Sequence, residues 1–396
     1  MRLRMGICAL AAALLLSALA GCSSGGGADM SAEQRLAQAQ SGLESVTTNL
    51  TMDPDTAATT LRAAARDFAA VLQSDAQNTR AKFGYALSNT LIGFFDLTSV
   101  MPKNMKAPLL QTITAARSRG VFPDAADSLA LLATTALADG RGRGAVRDVQ
   151  LRIASRTLDS AKIALPYYEQ LAAAADSGAT LSLRLYEGGR IRTVTFGKAD
   201  IQLLGAGAHF VTALLHAAVA FNLDMPGGTM LRPLPVDSNN NGLLESNEYL
   251  IGYPFLERSN GAYLTQFLHY LRQACDLAMV GADMPGHATG PHAFLDVSNP
   301  DTVAMLDRLD DYATAISVAS SASVSTNAIF GDRITRTIAL AKLGQITDLR
   351  ALLPTFQKHD LTAPGIWPDP TFNGAITPGI PQGVFTLYYA DLEGAY

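Results

Sequence analysis

Apolar residues recur at helical spacing along most of the chain. The pattern predicts a helix over 31–50. Asp53-Pro54, a capping residue followed by proline at the first helical position, predicts the start of a second helix that runs to about Ser74. Asn78 caps the next, from Thr79 to about Val100. Further helices are predicted over 106–119, 124–138 and 145–176, the last with a kink point at Pro166. The period then switches. Leu181, Leu183 and Leu185 alternate with Ser182 and Arg184, Gly188-Gly189 follows, and Ile191–Phe196 is rich in β-branched residues. Alternation around a glycine turn predicts a β-hairpin. Helix returns over 200–221, a loop-rich stretch spans 222–258, and helices are expected at 260–280, 300–323, 331–343 and 346–359. The proline- and glycine-rich end, 362–396, carries Trp367, Phe372, Phe385, Tyr388 and Tyr389 and reads as an ordered loop.

The N-terminus has a different pattern. Arg2 and Arg4 precede an apolar run from Ile7 to Ala20, broken only by Cys8 and Ser17. The run is shorter than the roughly 20 residues a membrane-spanning helix needs and fits a secretory signal. It ends in Leu19-Ala20-Gly21-Cys22, which resembles the lipobox of bacterial lipoproteins. That resemblance implies cleavage before Cys22 and transfer of a diacylglyceryl group to its thiol. Ser23-Ser24-Gly25-Gly26-Gly27 reads as a flexible tether. Ser23 stands where an aspartate favours inner-membrane retention in enteric-type bacteria, so the resemblance implies the outer membrane. The expected organisation is a signal peptide (1–21), a tether (22–30), an N-terminal helical region (31–178) and a second region with the hairpin, helices and C-terminal loop (179–396).

Loss of residues 1–21 removes two arginines and no acids, moving the formal charge from −5 to −7. A mildly acidic chain without a basic stripe is a poor partner for nucleic acid. Cys8 leaves with the signal and Cys22 is the lipidation candidate, so Cys275 has no partner for an internal disulfide. It lies in an apolar helical stretch and reads as an inert core residue.

Ala64, Phe68 and Val71 have the spacing of the second helix of a tetratricopeptide repeat. Asp75-Ala76-Gln77-Asn78 stands at that family's turn, and Ala81, Gly84 and Ala86 follow as the small residues of the next helix. The segment resembles that family over about 25 residues, with Ala76 in place of the turn proline and no clean repeat downstream. Small residues let paired helices approach closely. The expected fold is mainly α: antiparallel helical hairpins in an irregular repeat-like array, with a small β-hairpin and a calcium loop.

That loop is Asp237–Glu248. It sets oxygen-bearing positions at one, three, five, seven, nine and twelve, with glycine at six: Asp237, Asn239, Asn241, the Leu243 carbonyl, Glu245 through water, and Glu248, around Gly242. The pattern resembles the calcium loop of EF-hand proteins, with Leu244 as the apolar eighth residue. Two prolines just before the loop, Pro233 and Pro235, forbid the entering helix of that family, and Gly252 and Pro254 shorten any exiting one. Structural Ca2+ is therefore expected, without the helix pair that opens in sensors. Neutral Asn239 and Asn241 imply weak binding, with a Kd of about 10⁻⁴ to 10⁻³ M.

Other constellations are weaker. His209 and His216 share one helix face and His269 lies on another helix, but none has a ligand at helical metal spacing. His287 and His292 read as surface loop, Gly205-Ala206-Gly207 as close helix packing, Asp310-Asp311 as a solvated face, and Asp369–Gly374 as a turn. No nucleophile elbow, phosphate loop or paired catalytic carboxylates occur. The expectation is a non-catalytic envelope lipoprotein, held to the membrane by its lipid, that binds a protein or small-ligand partner. An alternative is a solute-binding accessory of a periplasmic transporter, with a pocket lined by Phe94, Phe95, Tyr167 and Tyr168. A further reading is a metal-dependent hydrolase using the histidines.

Overall fold

The computed structural model describes residues 30–49, 52–100, 150–173, 181–187, 190–222, 237–245, 248, 261–290, 292–317, 321–325, 334–346, 355–357 and 369–379. The signal sequence, Cys22, the tether and the helices expected over 106–119 and 124–138 lie outside them. So do Gly188-Gly189, Trp367, Phe385, Tyr388 and Tyr389.

The first three helices are α1 (Ala32–Thr47), α2 (Pro54–Ser74) and α3 (Thr79–Val100), close to the expected bounds. Each begins at a side-chain cap that satisfies a backbone donor the helix leaves unpaired. Ser31 and Gln34 form a reciprocal capping box. Asp53 accepts the Thr56 N–H at 3.1 Å, and Asn78 accepts the Ala81 N–H at 3.0 Å. A single π-helical turn, Ile153–Thr157, leads into α4 (Leu158–Ala173). Pro166 sits on the exposed side of α4, as does Lys162, whose carbonyl loses its helical partner, so water can replace the missing bond.

The hairpin pairs β1 (Leu181–Glu187) with β2 (Arg190–Phe196), Leu183 opposite Val194. Leu181, Leu183 and Leu185 are buried while Ser182 and Arg184 are exposed, so the alternation lays one face on α1. There the Thr47 hydroxyl donates to the Arg184 carbonyl at 2.7 Å.

The array continues through α5 (Lys198–Ala220), α6 (Gly261–Asp283) and α7 (Pro300–Ser317). Each helix from α1 to α7 packs on the next. Among the described residues α5 alone is long and apolar enough to cross a membrane, yet 67% of its apolar window is buried inside the protein between α4 and α6. A helix apolar on all sides is what a core position between two neighbours selects. Gly205 faces the Tyr168 side chain there, the close packing expected for that glycine. Cys275 is buried in α6.

Three segments expected as helix are strand in part. Within 331–343 the chain forms β5 (Thr335–Ala339), and only Leu340–Leu343 is helical, as α8. The helix expected over 300–323 stops at Ser317, and β4 (Ser321–Ser325) pairs with β5. Within 346–359, Phe356–Gln357 forms β6, the partner of β3 (Leu243–Leu244). A further short strand, β7 (Ile376–Thr377), flanks β5 on its other side. Short apolar runs do not separate the two periods, and here β-branched Thr335, Thr337 and Ile338 meet available strand partners. The protein is mainly helical, with small antiparallel strand pairs.

The α2–α3 hairpin tests the small-residue contact. A Cβ on Gly84 would lie 2.2 Å from the ring of Phe68, which is itself only 2% exposed. Gly84→Ala is expected to destabilise by about 1–3 kcal/mol in urea unfolding. Gly42→Ala, whose Cβ meets Ala64 at 3.4 Å, should leave stability unchanged or raise it.

Candidate calcium loop

Asp237 opens a loop that Glu248 closes, and their exposures are only 6% and 1%. Asp237 accepts the Asn241 N–H on Oδ1 at 3.1 Å and the Gly242 N–H on Oδ2 at 3.0 Å. Asn239 Oδ1 also accepts the Asn241 N–H, at 3.0 Å, and Asn241 Oδ1 accepts the Leu243 N–H at 2.8 Å. Glu248 reaches back across the loop. Its Oε1 accepts the Ser238 N–H at 2.8 Å and the Ser238 hydroxyl at 2.7 Å, while Oε2 accepts the Glu245 N–H at 3.0 Å. The Ser238 hydroxyl, followed by the Glu245 backbone, holds the Glu248 carboxyl below its usual range, so it is ionised at neutral pH.

The backbone makes this curl possible by entering the left-handed region at Asn240 (φ 54°) and Gly242 (φ 80°). A Cβ on Gly242 would touch nothing within 4 Å, so conformation and not space is what demands glycine. The chain leaves the turn as β3 and pairs with β6, which ties the loop to a distant part of the chain.

All six expected ligand positions thus lie on one loop, and Ser238 joins its two carboxylate ends. Buried carboxylates, amide oxygens and a main-chain carbonyl are the hard donors that calcium takes. Among the described residues no group of three or more His, Cys, Asp or Glu is placed to hold a metal. The loop instead mixes amide, carbonyl and carboxylate oxygens, a set suited to calcium rather than to softer ions. The prolines before the loop and the segment after Glu248 lie outside the described residues.

The rings of His209, His216 and His269 gather around Tyr270, at 5.9, 5.3 and 5.2 Å. His209 and His216 are seven residues apart on α5, about 10 Å along the axis, too far to share an ion. His209 Nε2 lies 3.0 Å from Glu169 Oε1. His216 stacks on Tyr270 at 5.3 Å, and both its ring nitrogens are buried without a hydrogen-bond partner. Burial, with Lys162 adding to it, pushes His216 down to about 4. Burial also lowers His209, against the opposing pull of Glu169.

His287 is not surface loop. Asp200, fully buried at the start of α5, accepts His287 Nδ1–H at 2.8 Å, the Gly197 N–H at 2.7 Å and the Ala288 N–H at 3.0 Å. A buried carboxylate demands such donors, and the His287 loop supplies two of the three. Nothing in the spacing of Asp200 and His287 points to this contact. The aromatics expected around a pocket are also placed differently: Phe95 and Tyr168 are core residues, with Phe94 and Tyr167 packed against that core.

The unfolded chain takes up the His216 proton near pH 6.5, and the folded chain only near 4. Stability therefore falls as the pH drops through that window. Melting temperatures between pH 7 and 4 should show this fall, and His216→Leu should flatten it. No family model matches the chain, and neither a curated protein nor a solved structure matches it significantly.

Proposed function

We propose that this chain is a non-catalytic, calcium-binding helical scaffold of the bacterial cell envelope, lipid-anchored through Cys22, that presents its helices to a protein or ligand partner. The observation that carries the calcium reading is the closure of one loop by two buried carboxylates, Asp237 and Glu248. Asn239, Asn241, the Leu243 carbonyl and Glu245 supply the remaining oxygens. Calcium there offsets the repulsion between the carboxylates and clamps β3 against β6. Its role is structural: Pro233 and Pro235 forbid the entering helix of a sensor, and Leu243–Leu244 inside the loop pairs with β6. A chain whose remaining cysteine is single and buried gains its external clasps from such contacts.

Calcium at about 10 mM, ten to a hundred times the expected Kd, should stabilise the mature protein by about 1–3 kcal/mol, read as a rise in melting temperature. Asp237→Ala with Glu248→Ala should abolish the rise. An unchanged melting curve for the wild type in calcium would sink the calcium reading. The anchor is tested separately: labelled palmitate should enter the wild-type chain in a bacterial host and not the Cys22→Ala variant.

A further inference from the structure

An open cleft of about 600 Å³ lies across α3, between α2 and α4. Tyr85, Asn89 and Ile92, successive turns of α3, form its floor. Arg62 and Arg66, one turn apart on α2, form one wall, and Ser160 of α4 stands opposite. The floor is held in place. Asn89 is buried and donates to the Tyr85 carbonyl at 2.9 Å, and the Tyr85 ring meets Tyr167 edge-on at 4.9 Å. At the α4 side a Cβ on Gly93 would meet the Thr157 carbonyl oxygen at 3.2 Å. That carbonyl ends the π-helical turn, a distortion that recurs at functional sites.

The two arginines differ. Arg62 is ion-paired with Asp96. Arg66 is exposed and has no hydrogen-bond or ion-pair partner among the described residues. It is a local positive point on a chain of net charge −5, set beside an apolar and aromatic floor.

We propose that this cleft binds an acidic peptide segment of a partner protein; the proposal rests on the scaffold reading and names the surface it uses. The Arg66 guanidinium takes a glutamate or aspartate carboxylate in a paired, charge-assisted contact. Apolar neighbours in the segment lie on Ile92 and the Tyr85 ring, and the Ser160 hydroxyl lines the cleft beside its backbone. One uncompensated guanidinium on an acidic chain does not suit nucleic acid, which needs several cations along its phosphates. The openness of the cleft suits a chain passing through better than an enclosed small solute.

The test uses the whole mature protein and a fluorescent peptide, capped at both ends, in which glutamates alternate with leucines. The expected result is binding that weakens with salt, and at least about tenfold weaker binding of the glutamine analogue. Arg66→Glu should lower affinity by about 10- to 100-fold. Because Arg66 is exposed, that variant should keep the wild-type melting temperature and its calcium-dependent rise, so the cleft and the calcium loop fail or stand independently. Absence of binding, equal affinity for the glutamate and glutamine peptides, or an unaffected Arg66→Glu variant overturns the proposal. Displacement of the peptide by an equal concentration of inorganic phosphate also overturns it, in favour of a simple anion site.

Discussion

The structure depends on the burial of α5, in which every residue from Ala199 to His209 is buried. Its apolar residues meet α4 on one flank and α6 on the other, and small residues set the approach. Gly205 lies against Tyr168, and a Cβ on Gly281 of α6 would stand 2.8 Å from Leu203. A helix so enclosed must also settle its polar groups without water. Asp200 does so completely, with three donors. His209 does so in part, through Glu169, and His216 stays neutral against Tyr270 with its nitrogens unpaired. The start of α5 is therefore a junction. Gly197 follows β2 and admits the Gly286 carbonyl so closely that a Cβ would lie 2.0 Å from it. Beyond it, Thr195 exchanges backbone bonds with His292 and Phe294. Hairpin, core helix and the 286–294 loop are fastened at one place.

Away from this core the chain uses carboxylate-centred turns as clasps. Asp237 gathers backbone N–H groups ahead of β3, and Asp369 does the same ahead of β7, accepting the Thr371 and Asn373 N–H groups at 2.8 and 3.0 Å. In both, a glycine in the left-handed region follows, Gly242 and Gly374. The strands then pair with distant segments, β6 and β5. The two turns differ in how they are closed. Glu248 returns a carboxylate to the first. The second draws a cation from within the chain, as Lys342 Nζ donates to the Asn373 carbonyl at 2.9 Å. Arg336, buried on β5, adds bonds to the Pro378 and Gly379 carbonyls.

Much of the helical array was legible because its signals are local. Asp53-Pro54 and Asn78 announce α2 and α3 through bonds that span three residues. The alternation of Leu181, Leu183 and Leu185 needs only one covered face to become β1. Gly84 was legible as a small residue at a crossing, although its partner, Phe68, lies on another helix. Residues 335–339 were misread because their period is ambiguous over so short a run, and β4 and β7 decide it. His287 was misread for a related reason: a glycine-rich loop looks solvated until a buried carboxylate elsewhere claims its histidine.

The sequence by itself determined the capped helices, the hairpin and the oxygen-bearing spacing around Gly242, because each is written in contiguous or regularly spaced residues. Only the tertiary structure decided that Asp200 holds His287, that Tyr270 packs on both His209 and His216, and that Arg62 and Arg66 line one cleft with Tyr85 and Ile92. These pairings join residues far apart in the chain, and burial, which no local pattern encodes, sets which polar groups must find one another.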